Sequence, residues 1–186
     1  MYESDLTSVP NNQPHDSNQN HSDDDENELC LELEPSSDQS MQMVRNMHAM
    51  RVDGILCDIV LQVKEKRFVA HRVVMSSCSR WLAALLFENE HLEVVPLGDT
   101  IDPEAFEAVL RFMYGQPFKY MIKDFDKVMH IIRTFELETM ERDCWDFLME
   151  HTDEGNCHEM HKLADRFDCD ALKSYAWIFI LKSNPE

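Results

Sequence analysis

The stretch Cys57-Asp58-Ile59-Val60-Leu61-Gln62-Val63, followed by Phe68-Val69-Ala70-His71-Arg72-Val73-Val74-Met75, constrains the fold more than any other part of the chain. Ile59, Leu61 and Val63 alternate onto one face, Lys64-Glu65-Lys66-Arg67 makes a polar turn, and Phe68 to Ala70 return. That pattern predicts a β-hairpin feeding straight into a helix. Val73, Val74, Trp81, Leu82, Leu85 and Leu86 then recur at helical spacing, with Ser76-Ser77-Cys78-Ser79 as a break between two helices. Leu92 to Leu97 reads as a short strand, and Pro96 places it at a sheet edge or a strand end.

Asp102-Pro103-Glu104 opens the next helix, with an acid near its positive end and proline in its first turn. Its apolar stripe is Phe106, Val109, Leu110, Met113 and Tyr114, and Gly115 stops it. From Lys123 onward only helical periodicity remains. Phe125, Val128, Met129, Ile131, Ile132 and Phe135 mark one helix, and Met140, Cys144, Trp145, Phe147 and Leu148 the next. After Asp153-Glu154-Gly155-Asn156, a last pair carries Cys157, Met160, Leu163, Ala164 and Phe167, then Ala171, Leu172, Tyr175, Ala176, Ile178, Phe179 and Ile180. Strands come early, helices alone come later, and no repeat is present, so the expected class is α+β.

The amino-terminal region differs in kind. Residues 1–38 are rich in Asn, Ser, Asp, Gln, Pro and Glu and are expected to form a disordered acidic tail. Within it, Leu29-Cys30-Leu31-Glu32-Leu33-Glu34 alternates enough either to be a sticky patch or to add as a strand to a partner's sheet edge. Order is expected from Ser40, a plausible helix cap, because Met43, Met47 and Met50 lie on one stripe before Gly54. The stripe packs either on its own core or across a twofold axis.

Composition narrows the function. A chain of 186 residues that is 44% hydrophobic can fill one core plus an appendage. No run approaches the roughly 18 apolar residues of a membrane span, and Met1 to Asp25 lacks the basic and apolar regions of a signal peptide. A cytoplasmic or nuclear protein is expected, with its six scattered cysteines reduced. The formal charge is −19, and residues 1–40 contain no Lys or Arg. Such a field repels nucleic acid and anionic membranes, so neither is an expected partner. Cys157, His158 and His161 lack paired metal-ligand spacing, and His158-Glu159-Met160-His161 sets its histidines one residue too close for the zinc-protease motif. There is no phosphate loop, dinucleotide fingerprint or nucleophile elbow, and four glycines leave little material for one. No enzyme, metal or cofactor is expected.

A set of landmarks in order carries a family resemblance: Cys57-Asp58, His71-Arg72, Ser79-Arg80-Trp81-Leu82, Phe106 to Gly115, and Cys144-Trp145-Asp146-Phe147-Leu148. Residues 39–150 resemble a BTB/POZ domain, a small three-stranded sheet flanked by a helical cluster. Asn156-Cys157, Leu163-Ala164-Asp165 and Leu172-Lys173 are similar to the opening of the BACK segment of kelch-type adaptors, placing a partial BACK-like helical segment at 151–186.

The resemblance implies a non-enzymatic interaction module that forms homodimers, or heterodimers with other BTB proteins. Its dimer interface would include Met43, Met47, Met50, Asp58 and Arg72. Uncompensated burial of the Asp58 carboxylate would cost several kcal/mol, so either Arg72 pairs with it in a charged pocket or Asp58 stands at a strand start and bonds backbone amides. His71 is expected to be a hydrogen-bonded structural histidine. The resemblance also implies a cullin-3 ubiquitin ligase as partner, on a surface that includes Phe87, Glu88, Glu90, Tyr120 and Met121, with Leu86 and Phe118 assigned to the core. In the family an apolar-x-Glu step often contributes to that contact. Here the loop Phe87 to Leu92 is short and has no clean copy of the step. Two readings therefore stand: a cullin-3 substrate adaptor, or a module that self-associates or recruits a transcriptional regulator without binding cullin.

Overall fold

The computed structural model describes residues 36–183. The elements, in order, are α1 (Ser37–Val52), β1 (Ile59–Val63), β2 (Lys66–Ala70), α2 (Arg72–Cys78), α3 (Arg80–Glu88), β3 (Val94–Pro96), α4 (Pro103–Met113), a 3-10 turn (Ile122–Asp124), α5 (Phe125–Thr134), α6 (Glu138–Glu150), α7 (Cys157–Arg166) and α8 (Asp170–Ser183). A three-stranded sheet set among helices gives the expected α+β architecture.

The first helix begins four residues earlier than expected. Ser36, not Ser40, is the cap, its hydroxyl accepting from the Gln39 N–H at 3.1 Å, so Ser37 and Asp38 are the first helical turn rather than tail. The segment Leu29 to Glu34 lies outside the described residues.

In the sheet, β1 is central, antiparallel to β2 and parallel to β3. Alternation does what period two requires: Ile59, Leu61, Val63, Phe68 and Ala70 are buried while Lys66, Arg67 and Val69 face solvent. The hairpin is tighter than the sequence suggested. Val63 pairs with Lys66, so only Lys64 and Glu65 make the turn, and Lys66 and Arg67 belong to β2. The third strand is also shorter, because the sheet registers only Val94, Val95 and Pro96 with β1. Pro96 sits on the free side of this edge strand, where its missing N–H costs nothing.

Helices α2 and α3 carry the chain from β2 across to β3, broken at Ser79. Its hydroxyl accepts from the Leu82 N–H at 2.9 Å and donates to the Phe135 carbonyl, tying the break to the end of α5. Phe106 of α4 is fully buried and meets Phe68 of β2 and Phe135 edge-on, and Phe135 stacks on Trp81 of α3 at 5.0 Å. This aromatic row joins sheet and helices into one core.

The last two helices share that core. Met160, Leu163, Ala164, Leu172 and Ala176 are buried in it. Phe125 of α5, Trp145 of α6 and Phe167 at the end of α7 form a triangle with centroids 5.5–6.0 Å apart. Arg133 braces it, pairing with Glu141 and donating to the Phe167 carbonyl at 2.8 Å.

Helix α4 stops at Gly115, where φ is +68° and where a Cβ would run into Val44 of α1. The glycine meets two demands at once, a left-handed backbone and close approach of the first helix. Gly115→Ala is expected to cost about 2 kcal/mol from strain and displaced packing. In a chain of this size that lowers the melting temperature by roughly 4–8 °C, read by circular dichroism.

Candidate functional site

Two regions carry the residues singled out by the sequence: the junction of hairpin and α2, and the candidate partner rim drawn from the end of α3 and the segment after α4.

At the junction, Asp58 is exposed and stands one residue before β1. Its Oδ1 accepts from the Arg72 backbone N–H at 2.7 Å. His71, the N-cap residue of α2, makes no side-chain cap, so Asp58 supplies from outside the anion that the helix start lacks. The expected buried ion pair is not formed within the chain: Asp58 bonds a backbone amide, the other arrangement the sequence allowed.

The Arg72 guanidinium turns the other way. It donates to the carbonyls of Leu86 at 3.0 Å, Asn89 at 3.3 Å and Leu92. Leu86 and Asn89 are the last turn and cap of α3, so the cation sits on the negative end of that helix and ties it to the loop that enters β3. Asn89 adds a side-chain bond to the Leu85 carbonyl at 2.8 Å.

His71 is buried, as expected of a structural histidine. Tyr114 Oη accepts from the His71 backbone N–H at 2.9 Å and stands 2.9 Å from its Nδ1, while Nε2 stands 3.0 Å from the Ile55 carbonyl. A carbonyl can only accept, so Nε2 holds the proton and the phenol donates to Nδ1. Burial pushes the Tyr114 phenol up from its ordinary 10 to about 12. Arg51 of α1 lies over the same ring at 5.2 Å, bringing the first helix onto this junction.

Of the methionine stripe, Met47 leans on the core, Met50 is half-buried, and Met43 is 56% exposed. Helix α1 has no fully buried residue.

On the rim, Phe87 is 78% exposed, Met121 is 65% exposed, and Glu88 and Glu90 face solvent. Leu86 is buried and Phe118 packs on the core, as the sequence reading assigned them. Tyr120 is half-buried rather than free, since it stacks on Phe118 with centroids 6.3 Å apart. It lines a cavity of about 350 Å³ with Phe118, Ile122, Phe125, Cys144 and Phe147. Burial, and the Asp143 and Glu141 carboxylates, push the Cys144 thiol up to about 11, so it lines the groove as a neutral apolar group.

Sequence periodicity placed Phe147 on an inward stripe, but it is 53% exposed and stacks on His151 at 4.0 Å. Cys144 and Leu148 fit a helical stripe without it, and nothing in the spacing marks Phe147 as the residue that turns out. The Tyr114–His71 bond was also illegible, because the two lie 43 residues apart. Among the described residues, no group of three His, Cys, Asp or Glu side chains converges as metal ligands, and no helix is long and apolar enough to cross a membrane.

Comparison with known proteins places this geometry. Residues 47–152 match the BTB/POZ domain family. The chain belongs to the BTB/POZ family. It is 33% identical over 138 residues to Kelch-like protein 7 of Gallus gallus, a match covering 72% of this chain and 23% of that protein. It is 33% identical over 140 residues to Kelch-like protein 17 of Homo sapiens, covering 73% and 22%. The match thus spans less than a quarter of the length of these curated relatives. The solved BTB domain of zebrafish PATZ1 superposes with a TM-score of 0.57 at 24% identity, covering 64% of this chain and 99% of that one, and shows the same BTB fold.

Two measurements test the junction. Arg72→Ala leaves three carbonyls short of a charged donor and is expected to destabilise by about 2 kcal/mol in urea titrations, with faster amide exchange confined first to residues 86–93. In an ultraviolet titration of the four tyrosines, one is expected to ionise near pH 12 and to vanish in Tyr114→Phe. The unfolded phenol loses its proton near pH 10 while the folded one keeps it. Its contribution to stability is therefore complete below about pH 10 and falls as pH rises through that window.

Proposed function

We propose that this BTB protein is a dimeric, non-enzymatic adaptor that offers a cullin-3 ubiquitin ligase the rim made by Phe87, Glu88, Glu90, Tyr120 and Met121. Membership of the BTB/POZ family together with kelch-like relatives carries the reading. The rim supports it: an aromatic side chain standing out of the end of α3 is the kind of group that anchors an interface, and the acids beside it add charge specificity. The groove lined by Tyr120 and Phe147 gives the same partner a concave apolar complement.

Dimerisation uses α1, where Met43 points out and Met47 and Met50 are only partly covered. Asp58 and Arg72 lie at the hairpin junction, where Arg51 of α1 covers the Tyr114 ring, and another BTB protein with a matching first helix would substitute for the second copy. Helices α7 and α8 read as the opening of a BACK-like segment.

One observation favours the second reading, self-association or recruitment of a transcriptional regulator without cullin. The loop between α3 and β3, residues 89–93, is short and is held by Arg72 on the Asn89 and Leu92 carbonyls, which limits how far it can adapt to a partner.

Titration of the protein with the amino-terminal domain of cullin-3, followed by light scattering, separates the two. A complex of two chains with two cullins is expected, and Phe87→Ala should weaken it by about 10-fold or more. Tyr120→Ala should weaken it less, since that ring is already partly spent on Phe118. An intact dimer that leaves cullin-3 unbound would overturn the adaptor reading in favour of the second.

A further inference from the structure

We propose that the outward face of α8 is a second self-association surface, on which α8 of another copy of this chain lies antiparallel. Leu172, Ala176 and Ile180 are buried on the inner side, where α8 packs on α6 and α7. On the outer side Ala171, Ser174, Tyr175, Trp177, Ile178 and Leu181 are all exposed, Ile178 by 49% and Leu181 by 58%. A helix that is apolar on both sides needs cover on both. Trp177 touches His161 of α7 at one edge of this face, with centroids 5.4 Å apart.

The order of side chains along the face selects the occupant. Ala171, Ser174, Ile178 and Leu181 fall at the a and d spacing of a coiled-coil seam, two small residues followed by two large ones. A parallel partner would set small on small and large on large. An antiparallel copy sets a against d, so Ala171 meets Leu181 and Ser174 meets Ile178, each bulky side chain filling the space left by a small one. The whole set is symmetric about the level of Ala176, as a twofold axis requires.

The flanking positions agree. Tyr175 and Trp177 border the seam on opposite sides and each comes beside its own counterpart near the axis, where aromatic pairs add to the burial. Lys182, also on the Tyr175 side, stands at the carboxyl end of the seam. Within the chain Lys182 lies over the Phe179 ring at 5.7 Å and makes no ion pair among the described residues. Lys173, the remaining base of α8, is engaged by Asp165, and Asp170 lies at the helix start.

One face of a 14-residue helix buries well below the roughly 800 Å² per partner of a standard interface. The contact is therefore weak between free chains and strengthens when chains are already paired through α1, a step that rests on the dimer proposed above. Two twofold surfaces on one chain extend the assembly beyond a dimer.

Sedimentation and light scattering over a wide concentration range test this. The mass is expected to rise past the dimer as concentration increases. Ile178→Asp, and independently the milder exposed change Ser174→Arg, should weaken that rise by roughly 10-fold or more while leaving the dimer and the helical signal unchanged. Mixing S174C with I178C chains under diamide should give a linked 174–178 peptide by mass spectrometry, with little linkage from either variant alone. A wild-type mass that stays constant with concentration, a rise that survives both variants, or absence of the 174–178 link would overturn the proposal. Failure of the α1 dimer is distinguishable: Met47→Glu would then leave the mass unaltered while the 174–178 link persists.

Discussion

One hydroxyl group holds the functional end of this fold together. Tyr114 Oη bonds both the backbone N–H and the ring of His71, and His71 in turn reaches the Ile55 carbonyl. Four segments thereby meet at one point: the end of α4, the junction of β2 with α2, the turn before β1, and α1 through Arg51 above the ring. A phenol is suited to this because it accepts and donates at once, while the ring supplies an apolar body for burial. An unpaired buried N–H costs about 1–3 kcal/mol, so the bond selects this arrangement more than it adds to net stability. Gly115, the next residue, lets α1 close over the site without a side chain in the way.

Asp58 and Arg72 show how a charged pair read from sequence can be two separate devices. The acid completes the start of α2, and the base completes the end of α3. Both charges are placed against helix ends, where partial charges of opposite sign already stand. Neither side chain has to lose its hydration for the other, which avoids the several kcal/mol that a buried ion pair must recover. The arrangement also links the two surfaces of interest. Arg72 begins at the hairpin junction, where Arg51 of α1 lies over the Tyr114 ring, and ends on the loop that follows Phe87, so one side chain ties the junction to the loop beside the candidate rim.

What was legible in the sequence was whatever local periodicity or a cap could encode. The alternation of Ile59, Leu61 and Val63, the Ser79 break, Asp102 capping α4 by accepting from the Glu104 and Ala105 amides, and the stop at Gly115 are all local. The errors of extent have local causes too: Ser36 and Ser40 are equally good caps on paper, and Lys66 and Arg67 look like turn residues until the register places them in a strand with solvent on one side. The half-burial of Tyr120 and the outward turn of Phe147 go with ring contacts to near neighbours, Phe118 and His151, that periodicity does not mark, while the partners of Arg72 and Tyr114 depend on which remote element packs beside them. No spacing rule reaches across that distance, so the candidate surfaces were readable as a set of residues but not as a geometry.

Charge and apolar surface act at different ranges in this chain. With a net charge of −19, two copies repel each other at long range, and the described surface is acidic enough to discourage indiscriminate contact. Scattered exposed apolar side chains on such a surface are ordinary. Grouped ones are not, and among the described residues they occur at the end of α1 and the turn after it, in the groove beside Tyr120 and on the outer face of α8. Association then needs a close fit, because only short-range burial can outweigh the repulsion, and salt favours it by shortening the range over which the acids are felt. An acidic chain with a few shape-defined apolar faces is in this way selective by construction: the charge rejects most encounters, and the faces retain those whose side chains interlock.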